Sequence, residues 1–137
     1  MESIYAAKPW LNHYDKNVPE TLAYPTLAYA DVLRKAFEEV PSRVAVHYMG
    51  TEITYRQLDE MSNRFANFLI ARGCRPGDTV GSHLPNIPAA YVGSAGIHKA
   101  GCVFTGVSPL LTAEELVYKL NDSGAKVLIT VDVLFPV

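Results

Sequence analysis

From Thr26 to Glu39 the apolar residues Leu27, Ala30, Leu33 and Phe37 recur three or four positions apart, with Pro41 just beyond, and this spacing predicts a helix. Val44 to Tyr48 is a short β-rich run. Gly50 supplies a turn, and Glu52 to Thr54 can return antiparallel, which predicts a small hairpin. Thr54-Tyr55-Arg56-Gln57 then reads as a capping box opening a second helix, with Ile53 and Leu58 placed as a hydrophobic staple. Leu58, Met61, Phe65 and Leu69 continue one apolar stripe until Gly73 ends it.

Pro76-Gly77 has the chemistry of a turn, and Thr79 to Leu84 follows as a strand. Gly81, Ser82 and His83 interrupt its apolar run, so the pattern expects an edge strand, or one approached closely by another backbone. Asn86 is the expected N-cap of a helix from Ile87 to Lys99, with Pro88 in its first turn and Gly101 at its end. Cys102 to Val107 is the next strand. A second capping box, Thr112-Ala113-Glu114-Glu115, opens a helix that the Asp122-Ser123-Gly124 cluster stops, again with a possible staple between Leu111 and Leu116. Lys126 to Val131 is a strongly β-branched strand. The order β-α-β-α-β with short connections requires parallel pairing and right-handed crossovers. The expected fold class is therefore α/β: three layers, a partly parallel sheet flanked by helices, preceded by a small β-hairpin. Because the sequence stops soon after an apolar strand, where such a sheet normally continues, the domain is expected to be incomplete.

Two regions follow from this pattern. Residues 1–25 mix Tyr5, Trp10, Tyr14 and Tyr24 with Pro9, Pro19 and Pro25, which forbids a long helix while supplying large apolar surfaces. That content suits a segment wrapping the outside of a domain better than a disordered tail. Residues 26–137 form the partial α/β domain.

Composition narrows the picture. A length of 137 residues, 49% of them hydrophobic, supports one modest core. A net charge of −2 provides no basic field for nucleic acid or an anionic membrane. Cys74 and Cys102 form no C-x-x-C pair and have no histidine at ligand spacing, which suits reduced thiols in a cytoplasmic protein. Residues 1–10 interrupt their apolar positions with Glu2, Lys8 and Pro9, unlike a signal peptide, and no stretch reaches transmembrane length.

Candidate chemistry is sparse. Neither G-x-x-x-x-G-K-[ST] nor G-x-G-x-x-G is present. Gly93-Ser94-Ala95-Gly96 falls inside a predicted helix, where it reads as small residues that let the helix approach its sheet, because a phosphate loop needs amides that a helix interior has already bonded. His13, His47, His83 and His98 make no metal pair or triad. His83 stands before Leu84-Pro85-Asn86 at the carboxyl end of a strand, where ligands sit in open α/β sheets, although a structural or solvent-facing role is the favoured reading. Glu114, Glu115 and Lys119 read as a solvated face: the carboxylates suit the first helical turn, and Glu115 to Lys119 is a favourable i,i+4 pair.

Taken in order, these residues resemble the adenylate-forming, AMP-binding superfamily. Ile53-Thr54-Tyr55-Arg56-Gln57-Leu58 is similar to its first core motif, L-[TS]-Y-x-E-L, and His98-Lys99-Ala100-Gly101 to its second, L-K-A-G. Asn63-Arg64-Phe65-Ala66, Pro76-Gly77-Asp78-Thr79-Val80, Leu84-Pro85-Asn86 and Asn121-Asp122-Ser123-Gly124-Ala125-Lys126 extend the resemblance from about Leu27 to Ile129. Lys8-Pro9-Trp10-Leu11 and Val18-Pro19 look most like the long-chain fatty-acid CoA ligase branch. The chain departs from the usual pattern at Gln57 for Glu, His98 for Leu, Gly106 where Pro is common, and the polar strand from Thr79, which leaves the substrate branch open.

The resemblance implies the N-terminal segment of an acyl-CoA synthetase. In such an enzyme a carboxylate attacks the α-phosphate of ATP, giving an acyl-adenylate and pyrophosphate, and the CoA thiol then displaces AMP; Mg2+ accompanies the ATP. The family's phosphate loop, ATP-binding aspartate and C-terminal lysine lie after the matched region, so no catalytic, cofactor-binding or metal residue is assigned here, and the segment alone is expected to be inactive and to hold none of these groups. The alternatives are a non-catalytic α/β interaction module and another adenylate-forming enzyme such as a peptide adenylation domain. The expected partner of the full-length enzyme is a carboxylic acid. An exposed sheet edge predicts self-association of the segment.

Overall fold

The computed structural model describes residues 3–134. A short helix α1 (Ile4–Ala7) and a 3-10 turn (Pro9–His13) come first, as the prolines require. Residues 3–28 are exposed except for half-buried Leu11. This segment closes on itself, with Tyr5 and Trp10 ring centroids 6.1 Å apart and Lys8 paired with Glu20 at 2.7 Å.

Helix α2 (Tyr29–Glu39) begins three residues later than the apolar spacing suggests, because Ala28 is extended and Leu27 lies outside the helix, exposed. Strands β1 (Val44–Tyr48) and β2 (Thr51–Thr54) pair antiparallel across a turn in which Met49 and Gly50 both take positive φ, the geometry that two-residue hairpins prefer. Helix α3 (Tyr55–Ala71) opens on the expected capping box: the Thr54 N–H donates to Gln57 Oε1 at 2.8 Å, and the Gln57 N–H donates to Thr54 Oγ1 at 3.2 Å. Ile53 and Leu58 share a small core with Phe37 and Val46, which fastens the hairpin to α2 and α3.

The buried stripe of α3 differs from the apolar one. Leu58, Ser62, Ala66 and Leu69 are buried, whereas Met61 is exposed. Ser62 enters the interior because its hydroxyl donates back to the Leu58 carbonyl at 2.7 Å, and because a small side chain there admits the next helix.

Strand β3 (Thr79–His83) leads into helix α4 (Pro88–Lys99), strand β4 (Val103–Gly106), helix α5 (Ala113–Asp122) and strand β5 (Ala125–Thr130). Two expectations are corrected here. Asn86 does not cap α4: Ile87 is the N-cap and no side chain bonds there, the fixed φ of Pro88 opening the helix instead. Nor is β3 an edge. The sheet order is β4-β3-β5, all parallel, with Val80 beside Phe104 on one side and Val127 on the other. A glycine is admissible in this central strand because a Cβ on Gly81 would stand 3.1 Å from both the Leu120 and Leu128 side chains; these fill its place, rather than a backbone.

The crossover layout sets the layers. Val80, Val127 and Ile129 face Ala66 and Leu69 of α3 and Ile97 of α4 in the main core, while Gly81 and Leu128 face Leu120 of α5 on the opposite side. Helices therefore cover both faces of a parallel sheet, the three-layer α/β arrangement. The glycine patch divides its work between two neighbours: Gly93 faces Ile129 of the sheet, but Gly96 faces α3, where an added Cβ would meet Phe65 at 2.7 Å and the Ser62 carbonyl at 2.9 Å.

Candidate functional site

Two places were candidates for chemistry: the carboxyl end of the parallel sheet, and the cleft where α2, α3 and α4 converge. At the first, His83 ends the central strand and is 5% exposed, so the solvent-facing option for it is overturned. Its Nδ1 lies 3.2 Å from Thr130 Oγ1, its neighbour in register on β5. Thr130 Oγ1 in turn donates to the Val131 carbonyl at 3.4 Å. Among the described residues Nε2 has no hydrogen-bond partner, and it is sealed from solvent. A sealed atom cannot meet a ligand in this arrangement, so His83 here joins β3 to β5.

At the second place, Lys99 is the last residue of α4 and only 13% of its side chain is exposed. Its Nζ meets four acceptors: Asp59 Oδ1 at 2.5 Å, Asn63 Oδ1 at 2.8 Å, Ser62 Oγ at 2.9 Å and the Asp59 carbonyl at 3.1 Å. It also stands 4.7 Å above the Phe37 ring. An ammonium has three protons, so all are engaged within the protein. Asp59, Ser62 and Asn63 fall within one turn of α3 and form a single polar notch into which α4 inserts its lysine. The sequence carries a signal for this in the i,i+4 spacing of Asp59 and Asn63, but nothing local links them to a lysine 40 and 36 positions away.

Around this clamp, Ala30, Asp31, Arg34, Phe37, Arg56 and Asn63 line an open cleft of about 630 Å3. Arg34 is committed to Asp31 at 2.8 Å and lies 3.9 Å from Glu38. The wall carries Asp31, Glu38 and Asp59 against Arg34, Arg56 and Lys99, so its charges balance. Beside it, His98 packs edge-on against Tyr29 with centroids 4.7 Å apart, and burial pushes its pKa below the ordinary value. Elsewhere, the Lys126 ammonium 2.6 Å away holds the Asp78 carboxyl below the usual range, and the Thr112 N–H does the same to Glu115. Glu114 and Glu115 sit in the exposed first turn of α5, the solvated face expected. No cluster of three or more His, Cys, Asp or Glu side chains suited to a metal occurs among the described residues.

The geometry thus defines a three-layer α/β scaffold whose motif residues tie elements together: Thr54 and Gln57 start α3, and Lys99 locks α4 onto it. Comparison with known proteins identifies the scaffold. A sequence profile of the AMP-binding enzyme family matches residues 33–136. The long-chain-fatty-acid–CoA ligase of Bacillus subtilis (strain 168) is 33% identical over 129 residues, 94% of this chain and 23% of that protein. Tyrocidine synthase 2 of Brevibacillus parabrevis is 37% identical over 112 residues, 81% of this chain and 3% of that protein. Among solved structures, the N-terminal subdomain of Klebsiella oxytoca NpsA superposes with a TM-score of 0.74 at 28% identity, covering 77% of this chain and 28% of that one.

The chain belongs to the AMP-binding enzyme family, the adenylate-forming enzymes, and corresponds to their N-terminal segment. It spans less than a quarter of the length of the curated ligases it matches.

Proposed function

We propose that this chain is the N-terminal scaffold of an ATP-dependent carboxylic acid–CoA ligase, with a fatty acid as the carboxylic acid. In the whole enzyme ATP and the acid would give an acyl-adenylate, and CoA would then take the acyl group as a thioester, with Mg2+ accompanying the nucleotide. The observation that carries the ligase reading is coverage: the match to the Bacillus subtilis ligase takes in 94% of the chain, against 81% for tyrocidine synthase 2. The ligase-like Lys8-Pro9-Trp10-Leu11 segment agrees with it. A peptide adenylation domain is the second reading, favoured by the 37% identity to tyrocidine synthase 2 and by the likeness to NpsA.

The segment itself is proposed to be inactive and to hold none of these groups. Its cleft does not suit a triphosphate, because Lys99 has no proton to offer and the wall carries as many carboxylates as cations. Residues 26–137 are proposed as the partial domain and residues 1–25 as an N-terminal wrapping segment, in a cytoplasmic protein. No helix among the described residues is long and apolar enough to cross a membrane.

The test is acyl-dependent exchange of pyrophosphate into ATP, followed by thioester formation. The longer polypeptide carrying this segment should exchange with fatty acids and load CoA. Exchange with amino acids instead would move the assignment to the second reading. Exchange by the 137-residue chain alone would overturn the scaffold role. The same chain should self-associate in sedimentation, since Leu110, Val117 and Tyr118 are all exposed apolar side chains; a clean monomer that binds no hydrophobic dye would contradict this.

A further inference from the structure

Helices α3 and α4 end in the same way, and each places a cysteine at the same position of its cap. After α3, Gly73 takes φ +90°; its N–H donates to the Ile70 carbonyl at 2.9 Å, and the Cys74 N–H donates to Leu69 at 3.1 Å. After α4, Gly101 takes φ +73°; its N–H donates to His98 at 3.0 Å, and the Cys102 N–H donates to Ile97 at 3.0 Å. These are two Schellman caps, in which the residue after the left-handed glycine packs against the third-last helical residue. Leu69 and Ile97 are fully buried, and Cys74 and Cys102 join them in one core at 7% and 5% exposure.

The loops beyond the caps are tied to each other. The Gly77 N–H donates to the Gly101 carbonyl at 2.9 Å, Pro76 fills the space beside Gly101, and Cys102 Sγ reaches the Arg75 carbonyl, next to Cys74, at 3.6 Å. Burial raises the pKa of the Cys102 thiol, and the neighbouring Cys74 thiol raises it further, as a charge and as a hydrogen-bond partner. Both thiols are therefore positioned by backbone caps within one core at the α3–α4 seam, with Cys102 Sγ reaching the carbonyl of the residue that follows Cys74.

We propose that Cys74 and Cys102 form a reversible disulfide that staples the carboxyl ends of α3 and α4 under a peroxide oxidant. Two S–H bonds break, one S–S bond forms, and hydrogen peroxide takes up two electrons and two protons to leave two waters. Attack by one thiolate on peroxide gives a sulfenic acid and releases hydroxide, which takes up the proton of the attacking thiol; the second thiol then displaces water from that sulfur. The closure is slow, because the thiolate is the nucleophile and both sulfurs are buried. Nothing in the adenylate-forming reading requires this bond, so the two ideas fail separately.

The experiment is oxidation of the reduced full chain with hydrogen peroxide, read by intact mass and by non-reducing peptide mapping. The expected product has lost the mass of two hydrogens, shows the Cys74 and Cys102 peptides joined, returns to the starting mass with dithiothreitol, and melts roughly 10 °C higher than the reduced form. Cys102→Ser should instead gain oxygen at Cys74. A wild-type product that gains oxygen without cross-linking, keeps two titratable thiols after denaturation, or forms only intermolecular dimers would overturn the proposal. An intramolecular disulfide that leaves the melting temperature unchanged would overturn the staple.

Discussion

Helices α3 and α5 begin alike and end up in different surroundings. Each opens on a Thr N-cap whose hydroxyl accepts from the residue at N3, and each has a glutamine or glutamate there that returns the bond. Yet α3 buries Leu58, Ser62, Ala66 and Leu69, whereas α5 has no fully buried residue and leaves Val117 and Tyr118 exposed. A capping box fixes where a helix starts; its burial is decided by what the rest of the chain brings against it. For α3 that partner is α4, admitted by Gly96 and clamped by Lys99. For α5 it is the opposite face of the sheet, where Leu120 reaches the space over Gly81.

The contrast is broken most severely at the α3–α4 contact. Gly96→Val should destabilise the chain by roughly 3 kcal/mol, because its Cβ would meet the Ser62 backbone carbonyl at 2.9 Å as well as the Phe65 ring, and a carbonyl within a helix cannot move aside cheaply. The urea midpoint measures it, and a shift no greater than that of an exposed-site control would show that the helices have room. Lys99→Met comes next, at about 2 kcal/mol, since it strands Asp59 while Ser62 and Asn63 lose a donor. A double-mutant cycle with Asp59→Asn should show strong coupling; additive effects would mean the clamp is not a unit.

The two capping boxes sharpen the comparison. Thr54→Ala should lower global stability by about 1 kcal/mol, since α3 is part of the core. Thr112→Ala removes the same bonds, but its effect should remain in α5, as faster amide exchange over Ala113–Asp122 with little change in the global midpoint. Equal global losses would mean that α5 is bound into the same cooperative unit despite its exposure.

The sequence made the local features readable and hid the remote ones. Both capping boxes, the hairpin turn and the parallel β-α-β-α-β order depend on residues a few positions apart, so pattern alone places them. The centrality of β3 was not legible, because the side chains that occupy the space over Gly81 come from Leu120 and Leu128. Asn86 misled because Pro88 can open a helix without a side-chain cap. Met61 belongs to the apolar stripe yet lies outside, and Ser62 lies inside, because the interior position was selected for size against Gly96 rather than for hydropathy. Lys99 was visible only as part of a motif; its commitment to Asp59 and Asn63 needs the helices already packed.

His98, beside that clamp, gives the smallest effect. Burial against Tyr29 and near Phe104 lowers its folded pKa from the ordinary 6.5, so the unfolded chain binds the proton more readily. Its neutral form thus contributes stability that is fully present above about pH 6.5 and is lost as pH falls toward and through the folded value. Asp78 and Glu115 have lowered carboxyl values, so their contributions disappear only in a more acidic window. His98→Leu, the residue usual at this place in the second motif, should remove the near-neutral step and leave the acidic one. Paired denaturation curves at about pH 7.5 and about pH 5.5 test it: the wild type should lose more stability between them than the variant does, and equal losses would mean that the ring stays neutral at no cost to the fold.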